Sequence, residues 1–279
     1  MIVRGEGLPL VLIPGIQGRW EWMVPTVEGL ARRCRVASYS LCGERGTGCR
    51  LTEERGFDAH IDQLTRVLDE VGFERAVLCG VSYGGWIAVR YAARHPERVS
   101  ALVVASSPGP RFRPDTRQRQ HARFPYLLLP AFIVSTRRRL MPEIRTAVPD
   151  PDERRRIARR QTRHMLRHPI SPGLMGRRIR LALQEDFVAD ASRVTAPTLL
   201  VTGERGLDRV VPPESTREYL SVIRGSTIVE LPSTGHIGCI TCANAWADLV
   251  VDFAQRVVAN HDRLEHAGVE ATRQDVLGV

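Results

Sequence analysis

Three residues far apart in the chain have the side chains of a nucleophile, a base and an acid, and each lies where an apolar run gives way to a loop. Ser82 stands in Gly80-Val81-Ser82-Tyr83-Gly84-Gly85, between the run Ala76-Val77-Leu78-Cys79 and a helix-like stretch over 86–92. Glycines on both flanks let a strand and a helix pass close together. A serine at such a turn is strained, with its hydroxyl pushed out above the strand end. That hydroxyl becomes a useful nucleophile only when a neighbouring base takes its proton, and the base needs a carboxylate to hold its tautomer and orientation. His236, in Pro232-Ser233-Thr234-Gly235-His236-Ile237-Gly238, provides the base, and Asp208, in the loop after Gly203, provides the acid. The chemistry these residue types imply is acyl transfer through a serine.

Six apolar runs, 8–13, 35–39, 76–79, 99–105, 197–202 and 227–231, read as strands. Between them apolar residues recur at helical spacing: Trp20, Met23, Val27 and Leu30; Ile61, Leu64, Leu68 and Val71; and, near the end, Trp246, Leu249, Val250, Phe253 and Val257. A further helix is expected over 213–222. Uninterrupted apolar strands alternating with helices indicate a parallel sheet covered on both faces. The carboxyl ends of such strands share one edge of the sheet, so Ser82, Asp208 and His236 can meet there. The alternation stops over 111–190, where helices are expected at 117–129, 131–147, 151–168 and 172–187 and no strand is. The fold class is therefore α/β, a mostly parallel sheet of six to seven strands with helices on both faces and an inserted helical cap. The core is expected over 1–110 and 191–260, the cap over 111–190, and a polar tail over 261–279.

The order Ser82, Asp208, His236, with a helical block between the first two, resembles the α/β-hydrolase superfamily. Within it the pattern looks most like the lidded ester and carbon–carbon bond hydrolases with a four-helix cap, and the likeness runs from Leu8 to about Ala259. The resemblance implies Ser82 as nucleophile, His236 as general base and acid, Asp208 as the orienting acid, and the backbone N–H groups of Ile16 and Tyr83 as oxyanion donors. Four features depart from the family's pattern. Pro14-Gly15 stands where the family has His-Gly, and Ser40-Leu41-Cys42-Gly43 where it has an aspartate. The usual N-terminal hairpin is largely missing. Four residues, Glu204 to Leu207, separate Gly203 from Asp208 where the family has two, so Glu204 stands as an alternative acid.

The net charge of +9 is unevenly distributed, and all 40 basic residues are arginine. Residues 111–190 hold nineteen arginines and eight acids, +11, which leaves −2 for the rest of the chain. No binding motif or base-stacking pattern accompanies this charge, so no nucleic-acid partner is expected. A solvated arginine face is the simplest reading, and selection of an anionic acyl substrate the next. There is no apolar run long enough to cross a bilayer and no basic-then-apolar leader, so a soluble, cytoplasmic protein with no membrane partner is expected. Six cysteines in that setting are expected as reduced thiols. Cys239 and Cys242 form one C-x-x-C without a second pair, too little for a zinc site. No metal or organic cofactor is required. Gln17, Trp20, Trp86, Phe124, Tyr126 and Phe132 are candidates to line a pocket.

The expected function is a carboxylesterase-like serine hydrolase cleaving an ester or related acyl bond of a small or medium organic substrate. A rival from another class is a ligand-binding or signalling protein that keeps the fold with little or no turnover. Acyltransferases, carbon–carbon bond hydrolases and cofactor-free perhydrolases share the same constellation.

Overall fold

The computed structural model describes residues 1–277, with side chains through Asn260. Its centre is a seven-stranded sheet of β1 (Ile2–Arg4), β2 (Leu8–Ile13), β3 (Cys34–Ser38), β4 (Ala76–Val81), β5 (Val99–Ala105), β6 (Thr198–Thr202) and β7 (Thr227–Glu230). The spatial order is β1-β3-β2-β4-β5-β6-β7. β1 runs antiparallel to β3, pairing Ile2 with Ser38, and every other pairing is parallel. This short edge strand is the one element of the sheet that no apolar run announces.

The helices that follow β2, β3 and β4 are α1 (Val24–Leu30), α2 (Asp58–Glu70) and α3 (Tyr83–Arg94). Between β5 and β6 come α4 (Thr116–Arg123), α5 (Leu129–Ala147), α6 (Pro151–Arg167), α7 (Pro172–Ala182) and α8 (Phe187–Ser192). The chain closes with α9 (Pro213–Arg217), α10 (Gly238–Thr241) and α11 (Ala243–Leu277). Alternate strand residues enter opposite cores. On β4, Ala76 and Leu78 pack with residues of α2, α3 and α8, while Val77, Cys79 and Val81 pack with residues of α1 and α11. With both faces buried, every position of the strand must be apolar, and the sequence shows an unbroken run where a half-solvated strand would alternate.

Several boundaries differ from expectation for local reasons. The helix expected over 117–129 ends at Arg123, because Pro125 forces the preceding Phe124 out of helical geometry, to φ −123° and ψ 58°. The stretch 172–187 divides into α7 and α8, and Asp186 restarts the chain as a helix by accepting from the N–H groups of Val188 and Ala189. The segment 213–222 becomes α9 followed by a 3₁₀ turn over Glu218–Ser221. α11 runs past Asn260, where the sequence suggests that a tail begins, and the side chains of that 261–279 tail lie outside the described residues.

The expectation that all six cysteines are free thiols is corrected at one pair: Cys42 and Cys49 are joined as a disulfide, with 4.9 Å between their Cα atoms. The glycine-rich loop after β3 folds back on itself, Gly43 donating to the Cys49 carbonyl at 2.8 Å, and so brings two buried side chains together. Cys34, Cys79, Cys239 and Cys242 are free. No described helix is long and apolar enough to cross a membrane.

Candidate active site

Ser82 immediately follows β4 and adopts φ 54° and ψ −121°, a backbone conformation that a side-chain-bearing residue rarely takes. Its N–H donates to the Ala105 carbonyl at 2.8 Å, which anchors the turn to the neighbouring strand. α3 starts at the next residue and crosses β2 so closely that a β-carbon on Gly84 would lie 2.4 Å from the Ile13 carbonyl oxygen. Glycine at 84 is therefore what allows the helix to begin where it does.

His236 and Asp208 come from the loops that follow β7 and β6. Those loops pass each other at Gly235, where an added β-carbon would stand 2.7 Å from the Leu207 carbonyl. His236 Nδ1 lies 3.3 Å from Asp208 Oδ2, and Asp208 Oδ1 accepts from the N–H groups of Val210 and Val211 at 3.0 and 2.8 Å. A carboxylate facing Nδ1 favours the proton there and leaves Nε2 as the acceptor. Burial favours the neutral ring and is the largest influence on it. The charge and hydrogen bond of Asp208, with the charge of Glu143, outweigh burial and raise the pKa of His236 above its ordinary value, against a smaller opposing effect from Arg139. Glu204 engages this region through its backbone, donating to the Thr234 carbonyl at 2.8 Å. Its carboxylate makes no hydrogen bond or ion pair with His236 among the described residues, so Asp208 is the acid beside the imidazole.

Ser82 and His236 line one cavity of ≈ 240 Å³, together with Ile16, Gln17, Tyr83, Trp86 and Phe132. The backbone N–H groups of Ile16 and Tyr83 donate to no other described residue, which leaves them free for a developing oxyanion. Trp86 is held against Phe187 with their rings stacked at 4.8 Å. Three other candidates do not line the cavity. Trp20 begins a 3₁₀ turn, and Phe124 and Tyr126 are exposed, at 47% and 68%.

Two buried charged residues from the helical block escape the sequence reading. Glu143, on α5, is fully buried and accepts the Ile237 N–H with both carboxylate oxygens, at 3.0 and 3.2 Å, so it grips the backbone next to His236. Burial raises its pKa, opposed by bonds from the Gly235 and Ile237 amides and by the charge of His236. Arg178, on α7, is also fully buried and donates to the carbonyls of Ile16 and Cys42 and to Glu44. It ties α7 to the turn that carries the Ile16 amide. A signal for Glu143 was present, since it is the one acid between Asp115 and Asp150. Arg178 has none, being one arginine among nineteen in its segment.

Known proteins with similar sequences and structures include several hydrolases. A pimeloyl-[acyl-carrier protein] methyl ester esterase of Nitrosomonas europaea is 26% identical over 239 residues, 83% of this chain and 90% of that one. A 2-hydroxymuconate semialdehyde hydrolase of Pseudomonas sp. (strain CF600) is 36% identical over 112 residues, 39% of each chain. The solved structure of an esterase from Exiguobacterium antarcticum superposes with a TM-score of 0.74 at 20% identity, over 91% of this chain and 94% of that one, a likeness of fold. The sequence profile of the alpha/beta hydrolase family matches residues 10–253. With that match spanning the sheet from β2 to β7 and the strained serine between β4 and α3, the chain belongs to the alpha/beta hydrolase family.

Proposed function

We propose that the protein is a serine hydrolase acting on an ester or related acyl bond of a small or medium organic molecule. The observation that carries this reading is the strained Ser82 opening onto the same cavity as a histidine already paired to a buried aspartate. Ser82 Oγ attacks the carbonyl carbon while His236 Nε2 takes its proton, and the Ile16 and Tyr83 amides hold the negative oxygen. The protonated His236 then gives its proton to the leaving group, and an acyl-enzyme on Ser82 remains. Water, deprotonated by the same nitrogen, attacks that ester, and collapse of the second tetrahedral species returns Ser82 and the acid product. Asp208 holds the ring and balances its positive charge in both halves.

The helices over 111–190 act in this reading as a cap that walls the cavity, with Phe132 of α5 and Met175 and Ile179 of α7 along its lining. A screen of p-nitrophenyl esters of increasing chain length, with fluorophosphonate labelling, tests the proposal. Ser82→Ala is expected to abolish labelling and to lower turnover by about 10⁴-fold or more. Equal activity and labelling in the two proteins would sink it. Since one relative is a methyl ester esterase and another a semialdehyde hydrolase, the screen includes a vinylogous carbon–carbon substrate to fix the bond type.

A further inference from the structure

We propose that the substrate carries, besides its acyl group, an ionised oxyacid, a carboxylate or a phosphate, held by Arg139 and Arg117 in the wall of the cavity; the proposal rests on the hydrolase reading above. The two guanidiniums come from α5 and α4 and line the same cavity as Ser82 and His236. Most of the remaining wall is apolar, with Phe112, Leu129, Phe132, Leu140 and Met175 among its residues.

What sets Arg139 apart from the buried arginines is its lack of counter-charge at the edge of a largely apolar cavity, beside the exposed Arg117. Elsewhere in this chain a buried arginine is matched: Arg90 contacts Asp58, Glu185 and Asp190, and Arg178 contacts Glu44. Arg139 is half-buried, yet its guanidinium bonds only to the carbonyl and hydroxyl of Ser135, each at 3.4 Å. Neither it nor Arg117 forms an ion pair with a described residue. The acid in the same wall, Asp115, has its carboxylate engaged in capping α4, accepting from the Gln118 N–H at 2.6 Å. Burial lowers the pKa of Arg139, and Arg117 lowers it further against a smaller opposite effect of Asp115. A groove that opens beside the cavity is lined by both residues together with Arg138 and Arg209, and by no acid.

An excess of arginine in the composition accounts for the number of guanidiniums but not for a half-buried Arg139 and its exposed neighbour Arg117 lining a largely apolar cavity without an ion-paired acid. The fork of an arginine is suited to two-point bonding with carboxylate or phosphate, and such bonds strengthen where water is excluded. Arg139 also stands one helical turn before Glu143, which grips the histidine loop. An anion bound there therefore lies within the electrostatic reach of His236, on which Arg139 already acts.

The test compares kcat/KM for p-nitrophenyl butyrate, mono-p-nitrophenyl glutarate and the corresponding phosphonate-ended ester, at low salt. The wild type is expected to favour one of the charged esters over the neutral one by about tenfold or more, and the favoured ester identifies the oxyacid. In Arg139→Gln that ratio falls towards one, in Arg139→Lys it falls partway, and in Arg159→Gln, on the exposed face of α6, it is unchanged. Glutarate and inorganic phosphate are titrated in parallel into the Ser82→Ala protein by calorimetry. Binding that weakens at least tenfold on adding Arg139→Gln supports the site even if no ester is turned over, in which case only the hydrolase reading fails. Turnover of neutral esters with no charged preference, no glutarate or phosphate binding, or an Arg159→Gln effect equal to that of Arg139→Gln would each overturn the proposal.

Discussion

In the proposed mechanism His236 serves as a base only while its Nε2 lone pair is free, so the charges around the ring would set the pH at which turnover begins. Its pKa is raised, chiefly by Asp208 and also by Glu143, against burial and Arg139. The acid limb of kcat/KM is therefore expected above the ordinary imidazole value of about 6.5. Glu143→Gln removes one of the raising charges but keeps an acceptor for the Ile237 amide, so the limb should move to lower pH with little loss of fold. Glu143→Ala instead leaves that amide unpaired and should cost about 1–3 kcal/mol of stability. A pH–rate profile beside urea denaturation separates the two effects. A limb unmoved in Glu143→Gln would show that the carboxylate acts on the backbone alone. Ser82 and His236 were legible in the sequence because each lies in a loop of small residues after an apolar run. Glu143 stands out in the sequence only as a lone acid between Asp115 and Asp150, and what it does is not readable there, because that depends on a contact between α5 and a loop 94 positions away.

Two elements carry the site's geometry, and each has a residue whose change should be diagnostic. α3 lies so close to β2 that Gly84→Ala would place a carbon 2.4 Å from a backbone oxygen, a contact that cannot be relieved by turning a side chain. Gly84→Ala is expected to yield little soluble folded protein, measured by circular dichroism. α7 is held to the Ile16 turn by the buried Arg178–Glu44 pair, and loss of one partner of such a pair costs about 3–5 kcal/mol. Arg178→Met should lower the melting temperature. Where folded, it should also lower kcat more than it raises KM, because the Ile16 carbonyl loses its anchor next to the proposed oxyanion donor. Normal kcat in folded Arg178→Met would separate that anchor from catalysis. The central strands β2, β4 and β5 were legible because burial on both faces leaves them almost wholly apolar, whereas the short edge strand β1 has no such run. The ends of the inserted helices were less so, since a proline such as Pro125 or a capping side chain such as Asp186 decides them within a single turn.

Across the whole molecule, two buried histidines pull stability in opposite directions with pH. His236, with its raised pKa, favours the folded state below about 6.5 and loses that contribution as pH rises through its folded value. His60 behaves in the reverse sense. It is fully buried among the rings of Phe57 and Tyr83, and neither ring nitrogen has a hydrogen-bond partner. Burial, helped by the charge of Arg178, pushes its pKa down to about 3. An unfolded chain protonates this imidazole near 6.5 while the folded one does not, so stability is full above that value and declines as pH falls towards 3. By pH 5 the gap of about 1.5 units corresponds to about 2 kcal/mol. His60→Phe forfeits no hydrogen bond and removes the titration, so its stability should change less between pH 7 and pH 5 than that of the wild type, by about that amount. Urea unfolding of both proteins at the two pH values measures the difference. Parallel changes would show that His60 takes up protons in the folded state as readily as in the unfolded one, and the acid sensitivity would then belong to the carboxylates that pair with arginine.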